Sequence, residues 1–165
     1  MIKIDELEQL AEEKLEHSFK FRTYLKNHAD PDELDAQFKQ LHEKYFAIYD
    51  CNKCHNCCIK MRASIPESDL KCDAEHLGLT IDEFKNKYLV DKPSNNKYET
   101  KNCPCDFFDG KECVLGGCKP ESCKTFPHTN KANRLASMWS IVDNTSVCPV
   151  VYEIIEELKT MYHFR

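Results

Sequence analysis

Cys51-Asn52-Lys53-Cys54-His55-Asn56-Cys57-Cys58 holds four thiols in eight residues, spaced C-x2-C-x2-C-C. Thiolates this close serve a soft metal better than a hydrophobic core, because one short loop can then grip a single ion or cluster. The C-x2-C interval lets two sulfurs from one tight turn meet at one centre, and Cys51, Cys54 and Cys57 offer it twice. Such pairs build structural zinc sites, and three thiols at this interval also hold three corners of a [4Fe–4S] cluster, with a remote Cys-Pro as the last ligand. Cys148-Pro149 suits that role. Neighbouring Cys57 and Cys58 point in different directions, so they reach two metals, or one binds while the other packs.

The chain has eleven cysteines among 165 residues. An odd count, and a start (Met1-Ile2-Lys3-Ile4-Asp5-Glu6) without the apolar stretch of a secretory signal, favour a reducing compartment and metal ligation over disulfides. The expected location is cytoplasmic. No apolar run approaches the length of a membrane span, so no membrane partner is expected. The formal net charge of −5, with Lys and Arg scattered beside Asp and Glu, argues against nucleic acid, which needs clustered cations. Gly-rich phosphate loops, G-x-S-x-G and H-E-x-x-H are absent from the sequence, so no catalytic residue is assigned.

Upstream of the run, residues 3–27 read as one long helix with Ile4, Leu7, Leu10, Ala11, Leu15, Phe21 and Leu25 near one side. Asp30-Pro31, with Glu33, is an N-terminal capping signal. The helix it opens runs to about Tyr49, striped by Leu34, Phe38, Leu41, Tyr45 and Ile48. These N-terminal helices form a hairpin whose stripe packs inside the protein or takes a protein partner. Downstream, Pro66–Leu77 predicts a short helix closed by Gly78, and Thr80-Ile81-Asp82-Glu83 predicts a capping box for another with Ile81, Phe84, Tyr88 and Leu89 buried. Residues 91–102 predict a loop or short hairpin, and 135–143 a strand or buried connection with Trp139 in the core. A last helix begins at Pro149 with Val151, Ile154, Ile155, Leu158 and Tyr162 on one face. The expected fold is mainly α with irregular metal-bound loops: a small domain of short helices around a cysteine cluster over 31–165, preceded by an N-terminal helix over 1–30.

The run Cys51–Cys58, the block Cys105-x7-Cys113-x9-Cys123, the segment Thr125-Phe126-Pro127-His128-Thr129 and the terminal Cys148-Pro149 together resemble the YkgJ-like CxxCxxCC cysteine-cluster family, a family of zinc- or iron-chelating domains. The resemblance covers roughly residues 34–160. It implies a ligand set of Cys51, Cys54, Cys57, Cys58, Cys105, Cys113, Cys123 and Cys148, with His128 as a ninth donor, and zinc or iron as the metal. Eight thiols suffice for two four-coordinate sites or one polynuclear cluster. Cys72, Cys103 and Cys118 fall outside the pattern, and Lys119-Pro120 stands where the family commonly has Arg-Pro. Asp106 and Asp109 read as loop caps or acceptors beside the ligands. The implied function is metal binding with a structural, sensing or metal-handling role. The alternatives are an iron–sulfur protein of electron transfer or redox chemistry, and a protein-modifying enzyme related to flagellin lysine N-methylase.

Overall fold

A computed structural model describes residues 1–90 and 96–165, so the expected loop at 91–102 lies partly outside the described residues. The fold is mainly helical with one small sheet. By contacts the chain divides into two compact units, residues 1–51 with 127–165, and residues 52–126, where the sequence reading draws its single boundary at residue 30.

In the first unit, the expected long N-terminal helix is two: α1 (Ile4–Glu13) and α2 (Leu15–His28), broken at Lys14. Leu7, Ala11, Phe21 and Leu25 are buried as the pattern requires, whereas Ile4 and Leu15 are exposed. The break redirects the apolar face, so one stripe drawn through both helices cannot hold. α3 (Pro31–Phe46) starts where its signal says: the Asp30 carboxylate accepts from the amides of Asp32 (3.1 Å) and Glu33 (2.9 Å). Leu34, Phe38 and Leu41 are buried, but Ile48 lies past the helix end and is 74% exposed.

Residues 135–143 belong to a helix, α9 (Arg134–Asp143), and not to a strand. Asp35 supports its start by accepting from the amides of Asn133 and Arg134, both at 2.7 Å. Trp139 is 55% exposed, with the Phe19 ring 4.7 Å away and the Arg22 guanidinium over its face; the core positions of α9 go to Met138, Ile141 and Val142 instead. α10 (Pro149–Met161) opens at Pro149 and buries Val150, Val151, Ile154, Ile155 and Leu158. Its Lys159 is also buried, held by the Ser18 hydroxyl at 2.9 Å and the Glu156 carboxylate at 2.6 Å. A buried ammonium needs such pairing to persist.

The second unit starts with two helical turns, α4 (Cys51–Cys54, which straddles the unit boundary) and α5 (Asn56–Lys60). β1 (Ser64–Pro66) pairs antiparallel with β2 (Lys97–Glu99), Ile65 opposite Tyr98. α6 (Leu70–His76) follows a single 3-10 turn and ends at Gly78, whose φ of +69° is the left-handed cap that glycine adopts most readily. α7 (Ile81–Tyr88) carries the capping box in full: Thr80 Oγ1 accepts from the Glu83 amide, and the Glu83 carboxylate accepts from the Thr80 amide. Phe84 and Leu89 are buried and Ile81 is exposed, a first-turn position left on the solvent side. The last helix of the unit is the single turn α8 (Glu121–Lys124). Ala63, Ile65, Leu70, Ala74, Phe84, Leu89, Phe107 and Leu115 form the core.

Truncating the fully buried Phe38 to alanine is expected to cost about 3–5 kcal/mol, and Ile48→Ala less than about 0.5 kcal/mol. Denaturant unfolding of the two variants checks the corrected stripe.

Candidate metal centre

The cysteine run folds as two helical turns reversed at His55, whose φ of +51° is left-handed. That reversal separates Cys54, half-buried at the end of α4, from Cys57 and Cys58 in α5. The Cys105 amide donates to the Cys58 carbonyl at 2.7 Å, and the His55 ring lies 5.0 Å from that of Phe108, so the run docks on the second cysteine block.

That block opens with a tight hairpin. Phe108 bridges Cys113, the Val114 amide donates to the Phe107 carbonyl, and Asp109 Oδ1 accepts from the amides of Lys111 and Glu112 at the tip. Gly110 turns the tip at φ +98°, a value side chains resist. Cys105 and Cys113 therefore sit on opposite legs of one hairpin. Phe107, between them, stacks on Phe84 and touches Tyr88, which anchors the hairpin in the core. Cys123 arrives on α8, fixed by two ties: Asp69 accepts from the Glu121 amide at 2.8 Å, and the Ser122 hydroxyl donates to the Ser64 carbonyl. Cys105, Cys113 and Cys123 all pack against the same core.

Four thiols, from Cys58, Cys105, Cys113 and Cys123, are close enough to influence one another's ionisation. Against the expectation that they point apart, the Cys57 and Cys58 thiols share a hydrogen bond, and this and then burial push Cys58 far up. Burial pushes Cys105 to about 11, with the charges of Cys58 and Cys113 adding to it. Burial likewise takes Cys123 to about 11, reinforced by Cys105, and raises Cys113. The charge of Lys119 works in the other direction at Cys58, Cys113 and Cys123.

The expected ligands do not all fall in one unit. Cys54, Cys57, Cys58, Cys105, Cys113 and Cys123 belong to the second, while Cys51, His128 and Cys148 belong to the first. Cys51 is exposed and Cys148 is buried just ahead of Pro149. His128 is half-buried with a left-handed backbone, and its carbonyl accepts from the Arg134 guanidinium at 2.7 Å. Its neighbour Thr129 is buried, with its hydroxyl 2.8 Å from His42 Nδ1. Exposed Cys103 donates from Sγ to the Ile59 carbonyl. Asp109 caps the hairpin tip, and Asp106 accepts from Asn102.

Two features depart from the sequence reading. Cys72 and Cys118 form a disulfide, Cα–Cα 5.6 Å, across 46 residues of chain. Both lie outside the ligand pattern, and no spacing rule pairs them; the fold brings α6 onto the turn Gly116–Cys118 and joins them. The other feature is Asp73, which the sequence reading passes over. Its side chain is 0% exposed and neither carboxylate oxygen has a hydrogen-bond partner. Desolvation first, then the charge of Asp69, raises its pKa to about 7 against the opposing charges of Lys124 and His76. The one local signal is its place in a short polar helix, three residues after Leu70 and one before Ala74, which puts it near the inner face.

Four half-buried thiols with an adjacent cation make a soft, sulfur-rich donor set, the chemistry that zinc and iron–sulfur clusters take. The residues fit either. Among the described residues, no three Cys, His, Asp or Glu side chains already form a group set to hold an ion, so the thiols adjoin without closing on one point. No family model, curated protein or solved structure matches the chain.

With its pKa raised from the ordinary carboxylate value to about 7, Asp73 keeps a proton in the folded chain that the unfolded chain has lost above about pH 4. In metal-free protein, stability is therefore expected to fall as pH rises from about 4 through about 7. Asp73→Asn should flatten that slope, as measured by urea unfolding at stepped pH.

Proposed function

We propose that the chain is a metal-binding protein in which Cys58, Cys105, Cys113 and Cys123 chelate zinc or iron, in a structural, sensing or metal-handling role. The observation that carries this reading is the arrival of four thiols from three distant stretches of chain at one mutually coupled patch against the core. Four thiols crowded together raise one another's pKa and gain little as neutral side chains; a divalent metal turns that repulsion into ligation. Lys119 offsets part of the negative charge that four thiolates leave on a divalent ion. The cysteine motifs shared in pattern with the CxxCxxCC family support the same reading.

Zinc bound this way leaves the protein colourless, whereas an iron–sulfur cluster gives broad visible absorption that bleaches in air. Elemental analysis with an optical spectrum on anaerobically purified protein is expected to find zinc or iron near stoichiometric amounts. Less than about a tenth of an equivalent of both, after reconstitution as well, overturns the reading.

Ligation requires thiolates, and two of these thiols ionise only near 11 in the metal-free fold. Each bound thiolate therefore displaces a proton, and affinity should rise with pH, by up to about tenfold per unit for each proton released. Competition with a chelator at several pH values measures the slope. Cys105→Ser and Cys123→Ser should each lower both metal content and melting temperature; unchanged values in both would remove these residues from the ligand set.

A further inference from the structure

We propose that Asp73 is an oxygen ligand of the same metal centre, bound beside Cys113; this rests on the metal-binding reading above. The carboxylate is wholly buried and both of its oxygens lack a hydrogen-bond partner. Buried carboxylates are almost always paired, hydrogen-bonded or bound to a metal, so an orphaned one marks a missing partner. Protein groups nearby do not supply it. Lys124 donates to the Gly117 carbonyl at 3.4 Å, and His76 Nε2 lies 3.0 Å from the Val114 carbonyl.

The geometry of α6 puts the carboxyl next to the thiols. Cys72 is bonded to Cys118, and His76 touches Val114, the residue after Cys113. Residues 72, 73 and 76 span about 100° of helix surface, so this face lies along residues 113–118, and Asp73, at its edge, falls between the two ties along the helix axis. The disulfide thereby has a role: it holds α6, and with it Asp73, against the turn that follows Cys113.

A mixed sulfur and oxygen centre differs from a purely sulfur one in ways a spectrum can read. Cobalt(II) serves as the probe metal, titrated into reduced apoprotein without breaking the Cys72–Cys118 bond, as checked by thiol counting. In Asp73→Asn, the cobalt d–d absorption should move to longer wavelength as the hard oxygen donor is lost, while the thiolate-to-cobalt charge-transfer intensity per cobalt stays the same. Metal affinity should fall about tenfold or more. Thermal melts supply the second readout. The metal-free variant should melt at or above the wild-type temperature, because a neutral amide suits a buried site better than a carboxyl with no partner. The metal-loaded variant should melt below wild type. That crossing does not arise from a purely structural aspartate, whose loss shifts both forms the same way.

A wild type that takes up no cobalt or zinc overturns the metal-binding reading and this proposal with it. A wild type that binds cobalt, paired with an Asp73→Asn variant of unchanged spectrum and affinity, overturns the role of Asp73 alone. Should Asp73→Asn fail to fold, Asp73→Glu serves: it keeps the oxygen donor and should retain cobalt binding with a perturbed d–d band, and an unperturbed band at wild-type affinity counts against ligation.

Discussion

The hydrogen bond from the Cys105 amide to the Cys58 carbonyl fastens the cysteine run to the cysteine hairpin, and the arrangement of the thiols depends on it. One backbone contact of this kind contributes only about 1 kcal/mol, so it cannot hold the site unaided. It persists because both partners are already constrained. The left-handed residue His55 fixes the run from one side, and Phe107, stacked on Phe84, fixes the hairpin from the other. The order of causes runs from core to site: aromatic packing anchors the hairpin, the hairpin presents two thiols on opposite legs, and its first amide captures the run.

Burial sets the chemistry of these thiols. Desolvation opposes the thiolate at Cys58, Cys105, Cys113 and Cys123, and crowding opposes it further. The Phe107 and Leu115 backbone, the Ser122 hydroxyl and the Lys119 ammonium work against both, without bringing Cys105 or Cys123 below about 11. In the metal-free fold these thiols hold their protons, and so does Asp73 up to about pH 7, its carboxyl oxygens having no hydrogen-bond partner. Under the proposed reading, a divalent cation would draw off the thiol protons and give the orphaned carboxylate a partner.

The capping and turn signals of the chain were legible because they act within a few residues. Asp30-Pro31, the Thr80–Glu83 box, Gly78 and Pro149 all sit where local rules put them. The stripe on α3 was legible as far as Leu41 and failed at Ile48, since the helix ends before that residue. Residues 135–143 are ambiguous in sequence because β-branched and aromatic side chains over a short span look alike in a strand and in a buried helix. Size alone argues for Trp139 inside, yet α9 has enough apolar residues to fill its inner face without it.

By itself, then, the sequence determined which residue types were available to a site and where helices start: thiols at C-x2-C-x2-C-C, a second cysteine block without helical periodicity, and strong caps between them. Tertiary structure decided which thiols adjoin. It brought Cys58 to Cys105, Cys113 and Cys123, bonded Cys72 to Cys118, and buried Asp73 beside the turn that follows Cys113. The reason is one of range. A cap or a turn is settled by groups a few residues apart, whereas a disulfide across 46 residues and the burial of one carboxylate depend on how whole elements pack, which no local pattern encodes.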